Sequence, residues 1–226
     1  MNRREVLEIH KALAGVYGPL PRIGRGNPLD QLVETILSQN TTDKNSHRAY
    51  LSLRREFSTW LAVAKAPASA IAARIRQGGL ANIKAPRIKR VLKIIWDREG
   101  RLSLACLARM SDAEAIEYLT SLPGVGIKTA NCVLLFSLRR AVMPVDTHVD
   151  RVTRRLGWID KSMPIEKAGA TIQKFVPPKL MLEVHVYLVW HGRRICKAGR
   201  PRCSACVIRS PCKLYRRAVD SGARFV

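Results

Sequence analysis

Four cysteines near the end of the sequence have the residue type and spacing of a metal or cluster site. Cys196, Cys203, Cys206 and Cys212 are separated by six, two and five residues, within seventeen residues of chain. Each thiolate needs only a short loop to turn inward, so the four can surround one ion or one cluster. Structural zinc uses the same ligands, although two paired knuckles are its commoner pattern. A single Cys-x2-Cys with one cysteine on each side favours a cubane iron–sulfur cluster.

Two disulfides are a third interpretation of the same cysteines. They are disfavoured because nothing else in the sequence indicates export, and intracellular thiols stay reduced. Cys106 and Cys132 lie among apolar residues outside the set, and we expect both to be small core residues. His191 precedes Gly192-Arg-Arg-Ile-Cys196, and we interpret it as a support for the start of the cysteine loop rather than as a ligand.

A second chemical feature is the stretch Leu122-Pro-Gly-Val-Gly-Ile-Lys-Thr-Ala130, which joins two predicted helices through a Pro/Gly turn. Gly124 and Gly126 allow the backbone to turn tightly, so that successive amide N–H groups and a helix N-terminus point outward at one place. Such a group of donors binds phosphate. Lys128 lies just inside the second helix. From these residues alone the turn could merely link two helices, and Lys128 could be one more surface lysine.

Asp146 lies in Met143-Pro-Val-Asp-Thr-His148, directly before an apolar-periodic segment. Aspartate is a favoured N-cap, so a purely structural role is the simplest interpretation. Capping and catalysis are compatible, because a cap fixes the direction of the carboxylate. His148 could orient Asp146 or simply pack, and we assign it no role.

The charge balance points to a polyanionic partner. Forty Lys and Arg residues stand against seventeen Asp and Glu, which leaves a formal charge of +23 spread over 226 residues. Nucleic acid is the favoured partner, although an anionic membrane surface or ribosomal RNA would satisfy the same number. No segment approaches the roughly eighteen apolar residues of a membrane span, and the first ten residues lack the pattern of a signal peptide. We expect an intracellular, nucleoid-associated protein.

The periodicity of apolar residues predicts an all-α fold. No sustained alternating run with β-branched enrichment is present. Asn27-Pro28 reads as an N-cap and a first helical residue, Asp43 can cap the next helix, and Ser111-Asp-Ala-Glu114 has the spacing of a capping box. Helical segments are predicted at 2–17, from 28 through 37, after 43, continuously over 60–75, around 88–96, and at 127–138, 147–156, 163–175 and 180–191.

The combination of motifs resembles the endonuclease III family of DNA glycosylases. The cysteine pattern follows Leu122–Ala130 and Val145-Asp-Thr-His-Val149 in the order typical of that family. Asn27–Asp43 and Gly79-Leu-Ala-Asn-Ile-Lys-Ala85 also match in order, so the resemblance covers nearly the whole chain. It implies a two-lobed helix-hairpin-helix glycosylase fold and a [4Fe–4S] cluster held by the four cysteines.

The resemblance also implies the domain division. Residues 24–134 would form a helical bundle that contains the hairpin. Residues 1–23 and 135–226 would form a second helical domain, with the cluster ligands in 196–212. Lys128 and Asp146 would face a DNA-binding cleft between the two lobes.

The family implies the chemistry as well. The lysine matching Lys128 attacks the sugar C1′, displaces the damaged base and forms a Schiff base, after which β-elimination cuts the strand. The aspartate matching Asp146 stabilises positive charge on the sugar and assists the proton transfers. The implied substrate is duplex DNA with oxidised pyrimidines or abasic sites, and we expect the protein to act as a monomer.

Other residues are implied as DNA contacts. The loop between the first two cluster cysteines carries three cations in a constrained segment, which suits a phosphate contact. The polar turn Ser38-Gln-Asn-Thr-Thr-Asp43 stands where the family commonly has Ser-Ala-Gln-Ala-Thr-Asp, and strict alignment puts asparagine where the usual wedge is glutamine, which leaves the opposite-base contact open. The expected contacts are the hairpin residues Gly124, Val125, Gly126 and Ile127, the loop cations Lys197, Arg200 and Arg202, and the wedge candidates Gln39, Asn40 and Leu80.

Two alternatives remain at this point. One is a monofunctional glycosylase for mismatched thymine or uracil, or for adenine, on the same scaffold; such relatives usually lack a lysine at position 128. The other is a non-catalytic iron–sulfur protein that binds DNA or senses redox state.

Overall fold

The computed structural model describes residues 2–21 and 26–222, and within these ranges it contains α-helices and short 3-10 turns but no strand. The predicted all-α fold is therefore confirmed. None of the helices in the described ranges combines the length and the apolar character that crossing a bilayer requires. The helices are α1 Arg3–Tyr17, α2 Pro28–Ser38, α3 Asp43–Glu56, α4 Trp60–Lys65, α5 Ala68–Ile75, α6 Ala81–Glu99, α7 Asp112–Thr120, α8 Ile127–Leu138, α9 Thr147–Leu156, α10 Ile165–Gln173, α11 Met181–Arg194 and α12 Lys213–Asp220.

The chain divides into two compact units. One is Gly24–Leu138, and the other combines Met1–Ile23 with Arg139–Val226. The expected division after residue 134 would cut through α8, whereas the unit continues to the last residue of that helix. A helix is held together by its own backbone hydrogen bonds, so its end is the natural place for a boundary.

The unit Gly24–Leu138 is built around α2, which packs against α3 and α8. Leu32, Val33 and Ile36 of α2 are fully buried in this core. The helix starts as predicted, because the Asn27 side chain accepts hydrogen bonds from the amides of Leu29 and Asp30 at 2.8 and 3.4 Å. The helix α7 packs on α8 and α5 packs on α6, so each layer covers the apolar face of its neighbour.

The second unit is centred on α11, against which α1 and α9 pack. The Tyr187 hydroxyl donates to the carbonyl of Gly18 at 2.9 Å, and His10 Nε2 lies 2.6 Å from a carboxylate oxygen of Glu183. These contacts hold the middle and the C-terminal end of α1 against α11. The helix α12 packs against α9.

Three local expectations differ from the structure. The segment predicted as one helix over 60–75 is two helices, because Pro67 lacks an amide hydrogen and starts a new one. Thr42 rather than Asp43 caps α3, since its hydroxyl accepts from the amide of Asn45 at 3.3 Å. The short helix α12 was not predicted.

The cap of α2 provides a stability test. Replacing Asn27 by alanine removes the acceptor for two amides at the start of the helix and should reduce the free energy of unfolding by about 1 kcal/mol. Asn82 is exposed near the start of α6, so Asn82→Ala serves as the matched control and should cause no loss. Urea denaturation followed by circular dichroism measures both; equal stability of Asn27→Ala and wild type would contradict the capping role.

Candidate functional site

The hairpin between α7 and α8 has the tight geometry that its glycines suggested. Gly124 has φ = 74°, in the left-handed region that favours glycine. The amide of Val125 donates to the carbonyl of Leu122 at 3.1 Å, which closes the turn. The Val125 side chain is buried, whereas Ile127 is exposed at the first position of α8. The phosphate-facing candidates are therefore the amides at and after Gly126, because the Val125 amide is used inside the turn.

A side chain from another part of the same unit holds this turn. Gln39 Nε2 donates to the carbonyl of Gly124 at 3.2 Å, and Gln39 Oε1 accepts from Arg87 Nη1 at 2.9 Å. A Cβ on Gly124 would lie 2.4 Å from Arg87 Nε, so the arginine packs directly over the glycine. The structure thus places Gln39 against the hairpin, whereas its neighbour Asn40 is exposed.

Lys128 is the second residue of α8 and is half-buried. The next residues of the helix, Thr129 and Ala130, are buried in the core. By helix geometry the first amides of α8 have no acceptor within the helix, so they are the natural anion-binding group beside the lysine. Lys128 therefore lies in the first turn of α8, directly after the hairpin, on a helix that the core holds in place.

Asp146 caps α9, as its sequence context predicted. Its Oδ1 accepts hydrogen bonds from the amides of His148 and Val149 at 2.9 and 2.8 Å. His148 Nδ1 lies 3.0 Å from Arg151 Nη2, and because arginine can only donate, the ring nitrogen is the acceptor. The cap fixes the direction of the Asp146 carboxylate, which remains half-buried.

All four cysteines of the C-terminal set line one cavity in the second unit, together with apolar side chains such as Val152 and Ile208. No group of three or more His, Cys, Asp or Glu in the described ranges is placed to hold a single metal ion. Burial raises the pKa of Cys206 to about 11, and burial also raises the pKa of Cys203 and of Cys212.

Two arginines of α9 organise the cysteine loop, and sequence reasoning did not identify them. Arg151 donates to the carbonyls of Gly192 and Cys196, both at 2.8 Å. Arg155 donates to the carbonyls of Lys197 and Ala198 at 2.7 and 2.8 Å, and its Nη1 lies 3.3 Å from Cys196 Sγ. The two positions are four residues apart and therefore share a face of α9, which is the only signal the sequence offered.

Burial lowers the pKa of His191 to about 4, so the ring is neutral at pH 7. His191 Nε2 lies 3.4 Å from Cys206 Sγ, and Nδ1 lies 3.1 Å from the Tyr17 hydroxyl. In the tautomer with the proton on Nε2, the ring donates to the sulfur and accepts from the tyrosine. This geometry supports the interpretation of His191 as a neighbour of the cysteine site.

The cations of the cysteine loop point outward while its backbone is held. Lys197, Arg200 and Arg202 are all exposed. The amide of Arg202 donates to the carbonyl of Ile195 at 3.0 Å, which adds to the bonds from Arg155. The three charges are therefore presented from a fixed loop, as a phosphate contact requires.

Comparison with known proteins agrees with this geometry. Residues 33–178 match the HhH-GPD superfamily of base excision DNA repair proteins. Endonuclease III of Thermotoga maritima is 35% identical over 191 residues, which cover 84% of this chain and 85% of that protein. The chain belongs to the HhH-GPD superfamily.

Other HhH-GPD relatives extend the comparison. Endonuclease III of Escherichia coli is 30% identical over 222 residues, covering 97% of this chain and all of that protein. A protein of Arabidopsis thaliana named as a DNA glycosylase is 40% identical over 168 residues, and the aligned part is 57% of its length. The fold matches a non-covalent endonuclease III–DNA complex with a TM-score of 0.80 at 24% identity, over 97% of this chain and 99% of that one.

The resemblance to endonuclease III that the motifs indicated is thus confirmed, and with it the assignment to base excision repair glycosylases. The alternative of a non-catalytic iron–sulfur protein is not favoured, because the relatives that match over most of both chains are named endonuclease III. DNA is the partner of the structural neighbours, which fits the charge of +23.

The two hairpin glycines allow a matched stability test. Gly124→Ala places an alanine in the left-handed region and displaces Arg87. The free energy of unfolding should therefore fall by about 1 to 2 kcal/mol. A Cβ on Gly126 would meet no atom within 4 Å, and Gly126→Ala should leave the free protein as stable as wild type. Thermal unfolding of the two variants distinguishes these outcomes, and equal loss in both would show that the conformation of Gly124 is not the cause.

Proposed function

We propose that this HhH-GPD glycosylase removes oxidised pyrimidines from duplex DNA and then cuts the strand at the abasic site. The observation that carries the proposal is the position of Lys128, an amine on the first turn of a core-anchored helix beside the phosphate-binding amides of the hairpin. A lysine at this place can join covalently to a sugar whose phosphates the backbone holds. A solved relative with the same fold is a trapped endonuclease III–DNA covalent intermediate, with a TM-score of 0.79 at 24% identity.

The reaction begins when the neutral Nζ of Lys128 attacks C1′ of the damaged nucleoside. The bond between C1′ and the base breaks, and the base leaves with the electron pair and takes up a proton. Ring opening gives an iminium ion between Nζ and C1′. Loss of a proton from C2′ then expels the 3′ phosphate, which is the β-elimination that cuts the strand.

Asp146 supplies the negative charge that these reaction steps require. Its carboxylate is directed by the two amides of α9, so it needs no reorganisation when positive charge develops on the sugar. In the proposal it also carries protons between the amine and the sugar. DNA backbone contacts come from the amides at Gly126 and Ile127 and from the fixed loop cations Lys197, Arg200 and Arg202. The protein acts as a monomer.

We further propose that the four cysteines hold a [4Fe–4S] cluster. The four cysteines line one cavity. Their pattern, a single Cys-x2-Cys with one cysteine on each side, favours a cubane cluster over the paired knuckles that are commoner in zinc sites. Such a cluster would fix the loop structurally, and the neighbouring Arg155 and His191 supply donors to its sulfur ligands.

Borohydride trapping on DNA with an abasic site tests the role of Lys128. The wild-type protein should form a covalent adduct, and Lys128→Ala should form none because the attacking nitrogen is absent. Lys11 is an exposed lysine of α1, and Lys11→Ala should retain the adduct. Denaturing electrophoresis measures the adduct; an adduct that persists in Lys128→Ala would refute the lyase assignment.

A panel of duplexes separates this reaction from the monofunctional alternative. The panel contains oxidised pyrimidines, thymine or uracil opposite guanine, and mispaired adenine. Release of mispaired bases without strand cleavage, together with no release of oxidised pyrimidines, would replace the proposed substrate.

Iron and sulfide analysis tests the cluster. Cys203→Ser removes one ligand and should lower the iron and sulfide content and the brown colour of protein purified without air. Cys106 lies outside the set, so Cys106→Ser should keep both at the wild-type level. A colourless wild-type protein that contains zinc would contradict the cluster.

A further inference from the structure

Two exposed loops of the unit Gly24–Leu138 carry residues in an unfavourable backbone conformation. Asn40 has φ = 53° and Leu80 has φ = 50°, and within the described ranges Arg139 is the other non-glycine residue with positive φ. Leu80 is 47% exposed although it is apolar. A left-handed conformation costs a residue such as Leu80 about 1 to 2 kcal/mol and persists only where the surroundings enforce it, whereas asparagine adopts it more readily.

One side chain, Lys84 of α6, binds the chain before both loops. It is 1% exposed, and its Nζ donates to the carbonyl of Leu37 at 2.7 Å and to the carbonyl of Gly78 at 2.8 Å. Leu37 lies three residues before Asn40, and Gly78 lies two residues before Leu80. One buried ammonium therefore binds the chain two or three residues before each residue with positive φ.

The carbonyls that Lys84 binds are ones that secondary structure leaves without partners. Leu37 lies in the last turn of α2, and Gly78 ends a 3-10 turn at Arg76–Gly78, so neither carbonyl is satisfied within its own element. The negative end of the α2 dipole also favours a cation at this place. Burial is the main cause that lowers the pKa of Lys84, and the nearby positive charge of Arg87 lowers it further.

The approach of the two loops leaves no room for a larger residue at the contact. A Cβ on Gly78 would lie 3.0 Å from the Cβ of Ala49 and 3.9 Å from the carbonyl oxygen of Leu37. The 3-10 turn is thus packed against α3 and the end of α2. The ammonium of Lys84 fills the remaining polar space between them.

The same helix connects these loops to the catalytic hairpin. Arg87 lies three residues after Lys84 on α6, and it donates to Gln39, which in turn donates to the carbonyl of Gly124. The residue next to Gln39 is Asn40. The helix α6 therefore fixes the polar turn, the Leu80 loop and the hairpin of Lys128 relative to one another within a single unit.

We propose that Lys84 is a positioning residue for base extrusion: it holds the Asn40 and Leu80 loops in the geometry that enters the duplex and replaces the flipped nucleotide. This inference rests on the proposed function. Lys84 itself is buried, so its role is to position these loops and not to contact DNA. Its loss should impair reactions that require unstacking of a paired base, because extrusion costs a few kcal/mol. An abasic site has no base to unstack, so its cleavage should suffer less.

The experiment compares two reactions of the full-length protein under single-turnover conditions. Lys84→Met keeps the length of the side chain but removes its donors. We expect its excision rate on duplex DNA with a paired oxidised pyrimidine to fall about tenfold or more relative to wild type, with a much smaller fall on an abasic duplex. Lys84→Arg retains charge and donors and should recover part of the excision rate. Lys93 is exposed on the same helix, and Lys93→Met should leave both rates unchanged.

Fluorescence of 2-aminopurine opposite the lesion supplies a readout of unstacking that is independent of the chemistry. Its increase on binding should be reduced in Lys84→Met and retained in Lys93→Met. Equal losses in excision and abasic cleavage, or an unchanged fluorescence increase, would overturn the proposal. If Lys84→Met does not fold, Lys84→Gln, which keeps one donor, replaces it in the same comparison. Failure of both to fold would overturn it too, since Lys84 would then support the whole unit.

Failure of the positioning role of Lys84 can be distinguished from failure of the proposed function. Absence of borohydride trapping in the wild-type protein would refute the lyase reaction itself. Normal trapping in wild type and in Lys84→Met, with an unchanged ratio of the two rates, would refute only the positioning role.

Discussion

The left-handed turn at Gly124 is the constraint on which the position of Lys128, the proposed nucleophile, depends. Its φ of 74° orients the following amides and starts α8 at Ile127, one residue before Lys128. The conformation of the turn is held in place, because Arg87 packs over Gly124 and Gln39 donates a hydrogen bond to the Gly124 carbonyl. A nucleophile at the start of a helix is positioned only as well as the turn that precedes it. The network around Gly124 is therefore part of the proposed mechanism although it contacts no sugar.

A comparable arrangement supports the cysteine loop in the other unit. There the fixed element is α9, which begins at the Asp146 cap and presents Arg151 and Arg155 one turn apart. These arginines bind backbone carbonyls on both sides of Cys196. One helix thus directs the proposed catalytic carboxylate at its N-terminus and holds the loop of the proposed cluster along its side.

The sequence predicted those features that depend on local chemistry. The caps at Asn27 and Asp146 and the extent of α8 and α9 follow from residue preferences within a few positions, and the structure has them as predicted. The break at Pro67 was missed because apolar periodicity continues across it. The helix α12 was missed because eight residues, Lys213–Asp220, give too short a periodic signal.

Features that depend on distant partners could not be predicted. The family resemblance made Gln39 a wedge candidate, but its partner in the structure, the carbonyl of Gly124, lies 85 positions away. Lys84 had no assigned role beyond its place in the family-like stretch Gly79–Ala85. Its burial follows from the approach of the α2 end, 47 positions away, which no local pattern encodes. Such contacts are set by tertiary packing rather than by propensity.

The charge excess has a second consequence for this fold. With forty basic and seventeen acidic side chains, carboxylates are too few to pair with every cation near the interior. Lys84, Arg151 and Arg155 accordingly bind carbonyl oxygens, and Arg154 binds the carbonyls of 160, 161 and 163 as well as Asp150. These cations stabilise turns and helix ends and are not available for phosphate. The formal charge of +23 therefore exceeds the number of cations free to contact phosphate, and in the proposed function the salt dependence of DNA binding would reflect exposed cations such as those of the cysteine loop.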